Sequence, residues 1–136
     1  MSIKLVFRAT ALLLAVSVIG FSDATTDEYA KLMKPAAAAN GKMQKSIETD
    51  LAVTAASAVE VKTAFKAIED FWAKRGVADA QGFSKAIQTA ADEVHAAAKA
   101  GNKEQAMAAA KQIGANCQGC HKVHREKGPD GNWLLK

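Results

Sequence analysis

The chain has 136 residues, of which 49% are hydrophobic, 24% are charged and 6% are aromatic. This composition is typical of a globular protein of one domain and excludes the disordered and fibrous classes. Lysine and arginine number 18 against 14 acidic residues, a formal net charge of +4. Because this excess is small and spread along the chain, no nucleic-acid partner is expected. Two cysteines are too few for a disulfide-dense scaffold.

Residues 1–24 have the pattern of a secretory signal peptide. Lys4 and Arg8 give a positive start, an apolar run follows over residues 9–21, and small residues then stand where a signal peptidase cleaves. The apolar run is about 13 residues long, short of the roughly 20 that a transmembrane helix needs. We therefore predict export, to the periplasm if the source is a Gram-negative bacterium, with no stable membrane insertion after cleavage. An uncleaved N-terminal anchor is the alternative.

Residues 25–136 are predicted to form four helices. Apolar side chains recur every three or four positions, and no segment alternates as a strand does. Capping residues stand at the predicted starts, and glycines follow the predicted ends. The predicted helices run from Thr26 to about Glu48, from Asp50 to Gly76, from residues 79–82 to Gly101, and from Asn102 to Gly128-Pro129, with an irregular tail over residues 130–136.

The short connections between these helices predict an all-α, antiparallel up-down-up-down four-helix bundle. Pro35 lies inside the first helix, where it removes one backbone hydrogen bond and predicts a kink. Alanine dominates the apolar faces, and although it favours helix it buries little area. The four faces are too thin to fill the centre of a bundle. We therefore expect the bundle to enclose a further apolar body.

Cys117-Gln118-Gly119-Cys120-His121 is a Cys-x-x-Cys-His motif, the attachment signature of a c-type haem. Residues three and four apart lie on one face of a helix, so both thiols and the imidazole point the same way. The thiols can add across the two vinyl groups of the haem while His121 binds the iron as an axial ligand. The motif therefore predicts one covalently bound haem c.

Three other interpretations of the two cysteines stay open. A redox dithiol usually accompanies a βαβ pattern, which this sequence lacks. A zinc site would need further ligands from His95 or His124. A disulfide between residues 117 and 120 is geometrically awkward within a helix. Export, the motif spacing and the thin helix faces together favour haem.

The position of the motif, near the C-terminus of a four-helix bundle, resembles the class II c-type cytochromes, the cytochrome c-prime family. Residues 113–121, followed by Val123 and Arg125, are similar to the last helix of that family. The Gly-Lys-Met sequence of residues 41–43 resembles a Gly-basic-Met pattern of its first helix. The resemblance covers essentially all of residues 25–136. It implies a bundle around a covalent haem and a homodimer packed through the first two helices.

The resemblance also implies roles for two residues of the first helix. It places Met33 where low-spin members carry the sixth ligand of the iron, and a thioether suits a haem iron. Tyr29 stands where the family often has an arginine, and its hydroxyl is a candidate contact for a haem propionate. Core packing is the alternative for both residues. The weaker candidates for the sixth ligand are His95, His124, Met43 and Met107.

An iron bound by both His121 and Met33 has no free position, which predicts a one-electron carrier and not an enzyme. Redox partner proteins would dock at the haem edge, where Lys122, Arg125 and Lys127 would offset the haem propionates and guide an acidic partner. If Met33 packs without bonding, the five-coordinate iron would bind nitric oxide or carbon monoxide, which is the alternative function. A peroxidase would need a distal acid-base pair, and the sequence offers no well-placed His-Arg or His-Asn set.

Overall fold

The computed structural model describes residues 22–136, which form four long helices and a short hairpin. Most of the predicted signal peptide, residues 1–21, lies outside the described residues. No helix within the described range is both long and apolar enough to cross a membrane. The elements are α1 (Asp23–Ser46), α2 (Leu51–Ala73), α3 (Ala78–Lys99), α4 (Lys103–His124), β1 (Arg125–Lys127) and β2 (Trp133–Leu135).

The predicted caps of α2 and α4 are confirmed. The Asp50 carboxylate accepts a hydrogen bond from the backbone N–H of Val53 at 3.0 Å, and the Asn102 side chain accepts one from Gln105 at 3.0 Å. Such bonds satisfy backbone donors that the first turn of a helix leaves unpaired. Gly76 follows α2 with a φ of +69°, a left-handed conformation that ends the helix without strain in glycine.

The first helix begins earlier than the sequence analysis predicts. Ser22 caps it by accepting a hydrogen bond from the backbone N–H of Thr25 at 3.2 Å, so the helix starts three residues before Thr26. α1 then continues through Pro35 as one helix to Ser46.

Contacts between successive helices show that neighbours run antiparallel. The end of α1 meets the start of α2, where the hydroxyls of Ser46 and Thr54 lie 2.9 Å apart. The start of α1 meets the end of α2, where Glu28 pairs with Arg75 at 2.8 Å. The predicted apolar faces of the middle helices are buried almost throughout. The chain is therefore an all-α four-helix bundle, as predicted, with its largest fully buried side chains at Trp72, Met43, Ile68, Ile87, Ile113, Val61 and Val94.

The C-terminal segment differs from the prediction, which placed the end of α4 at Gly128 and an irregular tail over residues 130–136. α4 ends at His124, and β1 pairs antiparallel with β2 so that Arg125 lies opposite Leu135. The turn is closed by a hydrogen bond of 2.8 Å from the N–H of Gly128 to the carbonyl of Asn132. Strand pairing satisfies backbone groups that a continued helix would otherwise have satisfied. The Gly-Pro-Asp-Gly sequence of this turn is the hairpin signal that the sequence analysis missed.

Candidate functional site

The gap between α1 and α4, here called the open seam, is the least closely packed side of the bundle. α1 packs along α2 and α4 packs along α3, but few residues of α1 and α4 approach each other. At one end of the seam, Lys103 pairs with Glu48 at 3.1 Å, and the Gln44 side chain donates to the carbonyl of Ala110 at 3.5 Å. The predicted site residues lie towards the opposite end.

Two cavities lie at this end of the open seam, and Tyr29, Met33 and His121 line both of them. The outer cavity lies between α1, α4 and the hairpin, and the inner one is lined by residues of all four helices. The outer cavity has a volume of about 340 Å³, at the low end of the ~300–1,000 Å³ that ligand sites span. The inner cavity is much smaller, about 10 Å³. A larger, shallow groove of about 670 Å³ lies along α1 and the start of α2, but it holds none of the predicted site residues. The inner cavity is also lined by Cys117, Cys120, Phe65, Ile68, Phe83 and Ile87.

The whole Cys-x-x-Cys-His motif lies within α4, near its C-terminal end. Cys117, Cys120 and His121 all line the inner cavity, so they share one face of the helix as the spacing predicts. Cys120 is buried, and the other two residues are half-buried. Both cysteines are free thiols.

The environment of the two cysteines keeps them protonated at neutral pH. Burial raises the pKa of Cys120 to about 11, and the negative charges of Asp79 and Cys117 contribute to the same shift. Burial also raises the pKa of Cys117. Redox-active dithiols instead have a thiol pKa below the ordinary value, because the thiolate is the reactive form. The two thiols therefore lack the electrostatic environment of a redox dithiol.

The His121 imidazole is held in its neutral form. Burial lowers its pKa, and the positive charge of Arg125, one turn along the chain, lowers it further. A neutral imidazole has a free nitrogen lone pair, which is what a metal ligand needs. At neutral pH, His121 can therefore bind a metal without first losing a proton.

Tyr29 and Met33 lie one turn apart on α1 and face the same cavities. Tyr29 is buried, with its ring centroid 5.3 Å from that of Phe71 and 5.2 Å from that of Trp72. Burial raises the pKa of its hydroxyl, and the nearby Cys120 adds to the shift. Met33 is half-buried. The structure thus brings Met33 and His121 to the same two cavities, whereas a carboxylate contact for the well-packed Tyr29 stays a prediction.

The two other histidines have partners outside the cavities. His124 is buried, with Nε2 2.9 Å from the Asp79 carboxylate and its ring centroid 5.2 Å from that of Trp72. His95 Nδ1 donates to the carbonyl of Ala55 at 3.0 Å. In the part of the chain that the structure describes, no three His, Cys, Asp or Glu residues group so that they could hold a metal ion. Among the described residues, neither His95 nor His124 therefore joins the two cysteines in a group that could bind zinc.

The two methionines that were weaker candidates for the sixth ligand are packing residues. Met43 is fully buried, and Met107 is half-buried against the core. Neither lines the inner or the outer cavity.

Phe83 is a site residue that sequence reasoning missed. A Cβ placed on Gly119 would lie 2.7 Å from Phe83 Cε1, so the phenyl ring packs directly on the backbone of the motif. The sequence analysis assigned Phe83 only to the apolar face of the third helix. Helical periodicity signals that a residue is buried, but it does not signal which glycine of another helix the residue touches.

Lys34 and Trp133, at the outer cavity, were also missed as site residues. Lys34 of α1 and Arg125 of β1 both line this cavity, together with Trp133 of β2. From the sequence, Arg125 was expected near the attachment site, as a charge that could offset the haem propionates and guide an acidic partner. Its place at the cavity follows from the hairpin, which the sequence analysis did not predict.

A comparison of the chain with models of known protein families, with curated proteins and with solved structures finds no match.

Proposed function

We propose that the chain is an exported one-electron carrier that holds a single covalent haem c in the open seam, with His121 and Met33 as the axial ligands. The observation that carries this proposal is that Cys117, Cys120 and His121 of α4 line the same small cavity as Met33 of α1. These residue types match haem attachment and His/Met coordination. When bound, the haem supplies an iron that gains and loses one electron.

The placement of the two thiols fits covalent attachment. Cys117 and Cys120 are both free and line the same cavity. Each thiol would add its S–H across one vinyl group: a C–S bond forms, and the hydrogen goes to the other vinyl carbon. The addition consumes no oxidant or reductant, so the two cysteines suffice as protein reactants.

The polar groups of the seam also fit a haem. The Nε atom of Arg125, at the outer cavity, is buried and has no hydrogen-bond partner among the described residues. A buried donor without an acceptor costs stability, and a carboxylate at the cavity would satisfy it. A haem carries two such carboxylates on an otherwise apolar body. The apolar residues Phe65, Ile68 and Ile87 around the inner cavity suit that body.

The inner cavity is too small to hold a haem unless the helices around it move. At about 10 Å³ it is smaller than a haem, so α1 and α4 must separate there. Few residues of these two helices approach each other directly, and at this end they are linked through the β1–β2 hairpin and its buried Leu135. The loosely joined seam is thus the side of the bundle that can accept a flat apolar ligand.

The two candidate functions, electron transfer and gas binding, differ in whether the Met33 thioether would bind the iron. As sixth ligand, its thioether would leave the iron no free position, and the apolar seam would keep water away. The protein then only binds, orients and shields the redox centre. If Met33 merely packs, a five-coordinate iron would bind nitric oxide or carbon monoxide.

The test is the mass and optical spectrum of the exported protein. We expect the mass of the chain without residues 1–24 plus one haem, a low-spin reduced spectrum, and the weak ferric band of an iron–methionine bond. The matched variants are Met33→Leu and Met43→Leu, which both keep side-chain volume. Only Met33→Leu should abolish the ferric band and allow carbon monoxide to bind.

Three results would contradict the proposal. A colourless protein with the mass of the bare polypeptide would exclude the haem. An unchanged spectrum in Met33→Leu would remove Met33 from the iron. A wild-type protein that binds carbon monoxide would favour gas binding over electron transfer.

A further inference from the structure

The hairpin of β1 and β2 bridges the end of the open seam. β1 continues directly from α4 at Arg125, and the backbone N–H of Leu135 in β2 donates to Thr26 Oγ1 of α1 at 3.5 Å. Leu135 is buried, so the hairpin is anchored by packing as well as by hydrogen bonds. The outer cavity is therefore enclosed by α1 on one side and by the hairpin on the other.

Arg125 occupies an unusual position in this hairpin. Its guanidinium carbon lies 3.9 Å from the centroid of the Trp133 ring, and its Nε atom is buried without a hydrogen-bond partner in the described part of the chain. Stacking on an aromatic ring attracts the positive charge but leaves the N–H donors unpaired. A buried unpaired donor is costly, so such a group calls for an acceptor.

The rest of the outer cavity indicates what the acceptor belongs to. Lys34 of α1 also lines the cavity and adds a second positive charge. The other lining is largely apolar and includes Ala30, Met33 and Leu134. Two cations on an apolar cavity match an anionic group attached to an apolar body, whereas a free inorganic anion would gain nothing from the apolar lining.

We infer that Arg125 and Lys34 form a carboxylate-binding subsite in the outer cavity and that Trp133 is a positioning residue that holds Arg125 in place. The inference rests on the proposed function, since the carboxylate would belong to the haem. The planar guanidinium can offer two parallel N–H groups to one carboxylate, which a lysine cannot. The hairpin thereby contributes to the site although it lies outside the helical bundle.

Lys127 provides a matched control within the same hairpin. Its ammonium nitrogen lies 4.3 Å from the centroid of the Trp133 ring, so it shares the aromatic partner of Arg125. It is exposed and does not line the outer cavity. Arg125→Gln and Lys127→Gln therefore remove the same formal charge from the same ring, but only the first changes the subsite.

The experiment measures the reduction potential of the haem-loaded protein and its variants. Arg125→Gln should lower the potential, because an unpaired carboxylate near the iron favours the more positive oxidised state. Lys127→Gln should shift it much less, because solvent screens an exposed charge. Trp133→Leu should lower the potential in the direction of Arg125→Gln, and Trp133→Phe should restore most of it.

A second arm identifies the source of the carboxylate. The potential difference between wild type and Arg125→Gln should be the same with and without added acetate. A difference that appears only with acetate would mean that the subsite binds a free anion, and the assignment would be overturned.

Equal shifts in Arg125→Gln and Lys127→Gln would also overturn the subsite. A Trp133→Leu protein with the wild-type potential would overturn the positioning role of Trp133. These outcomes are distinct from failure of the proposed function, in which the wild-type protein carries no haem and has no potential to measure.

Discussion

The two sides of the bundle that face each other are built differently. Between α2 and α3, apolar side chains close the interface, and Val61 and Val94 are fully buried. The open seam between α1 and α4 has two cavities instead of a continuous core. The thiols, the imidazole and Met33 lie on α4 and α1, whereas Phe65, Ile68 and Ile87 line the inner cavity from the two middle helices. Only the part of the α2–α3 packing that does not line a cavity, such as Val61 and Val94, is therefore separate from the proposed chemistry.

The composition of α1 explains why the seam is open. Besides Tyr29, the buried apolar residues of this helix are Ala36, Ala39 and Met43. Hydrophobic stabilisation grows with the apolar area that is buried, and alanine offers little of it. α1 is therefore held weakly on its own, and it has the most to gain from a ligand in the seam.

The largest expected effect comes from removing both thiols with the double substitution Cys117→Ala/Cys120→Ala. We expect loss of the covalent haem, a large fall in melting temperature, and faster amide exchange in α1 and α4 than in α2 and α3. The reason is that α2 and α3 keep the part of their interface around Val61 and Val94, which does not line the cavities. Mass spectrometry, thermal melts and hydrogen exchange measure the three effects.

Gln118→Ala is the control, since Gln118 is exposed and both thiols are kept. A double variant that melts cooperatively at the wild-type temperature would show that the seam needs no ligand.

A smaller effect is expected where α3 touches the motif. Gly119→Ala would bring a Cβ to 2.7 Å from Phe83, whereas Gly114→Ala on the same helix would meet no atom within 4 Å. Alanine improves helix propensity at both positions, so that gain cancels in the comparison. We expect Gly119→Ala to be less stable than Gly114→Ala by about 1–3 kcal/mol, the usual cost of overpacking. Chemical denaturation of both purified variants measures the difference, and equal stabilities would mean that Phe83 moves aside without cost.

The smallest effect concerns Asp79, which joins the start of α3 to the end of α4. Desolvation opposes ionisation of this carboxyl, but the hydrogen bond and charge of His124, with the backbone N–H of Ala80, lower its pKa below the usual value. A lowered pKa in the folded state adds stability above the ordinary carboxyl pKa of about 4, and this is lost as the pH falls through the lowered value. In Asp79→Asn, the free energy of unfolding should therefore fall less steeply than in the wild type as the pH drops below about 4.

Thermal melts between neutral and acidic pH test this effect, which is small because Asp79 is largely exposed. The control is Asp92→Asn, which removes an exposed pair with Lys62 and does not touch His124. If the melting temperature of Asp79→Asn falls as steeply with decreasing pH as that of the wild type, the contact with His124 does not contribute to acid sensitivity.

Local signals predicted the helices well, because helix formation depends on residues three and four positions apart. Asp50 and Asn102 cap the helices they were expected to cap, and the motif of residues 117–121 lies on one helical face. The prediction was wrong for residues 130–136, where a turn signal was present but was weighed as a helix stop. The start of α1 was misplaced because Ser22 was assigned to the signal peptide.

The sequence by itself determined the four helices, the face on which both thiols and the imidazole lie, and the shortage of large apolar side chains on the four helix faces. Only the tertiary structure decided that this shortage falls between α1 and α4, that Met33 and His121 reach the same cavities, and that Phe83, Arg125 and Trp133 join them. The spacing of apolar residues along the sequence determines on which side of its own helix each side chain lies. Which faces then meet depends on the packing of all the helices at once, and no local pattern records that.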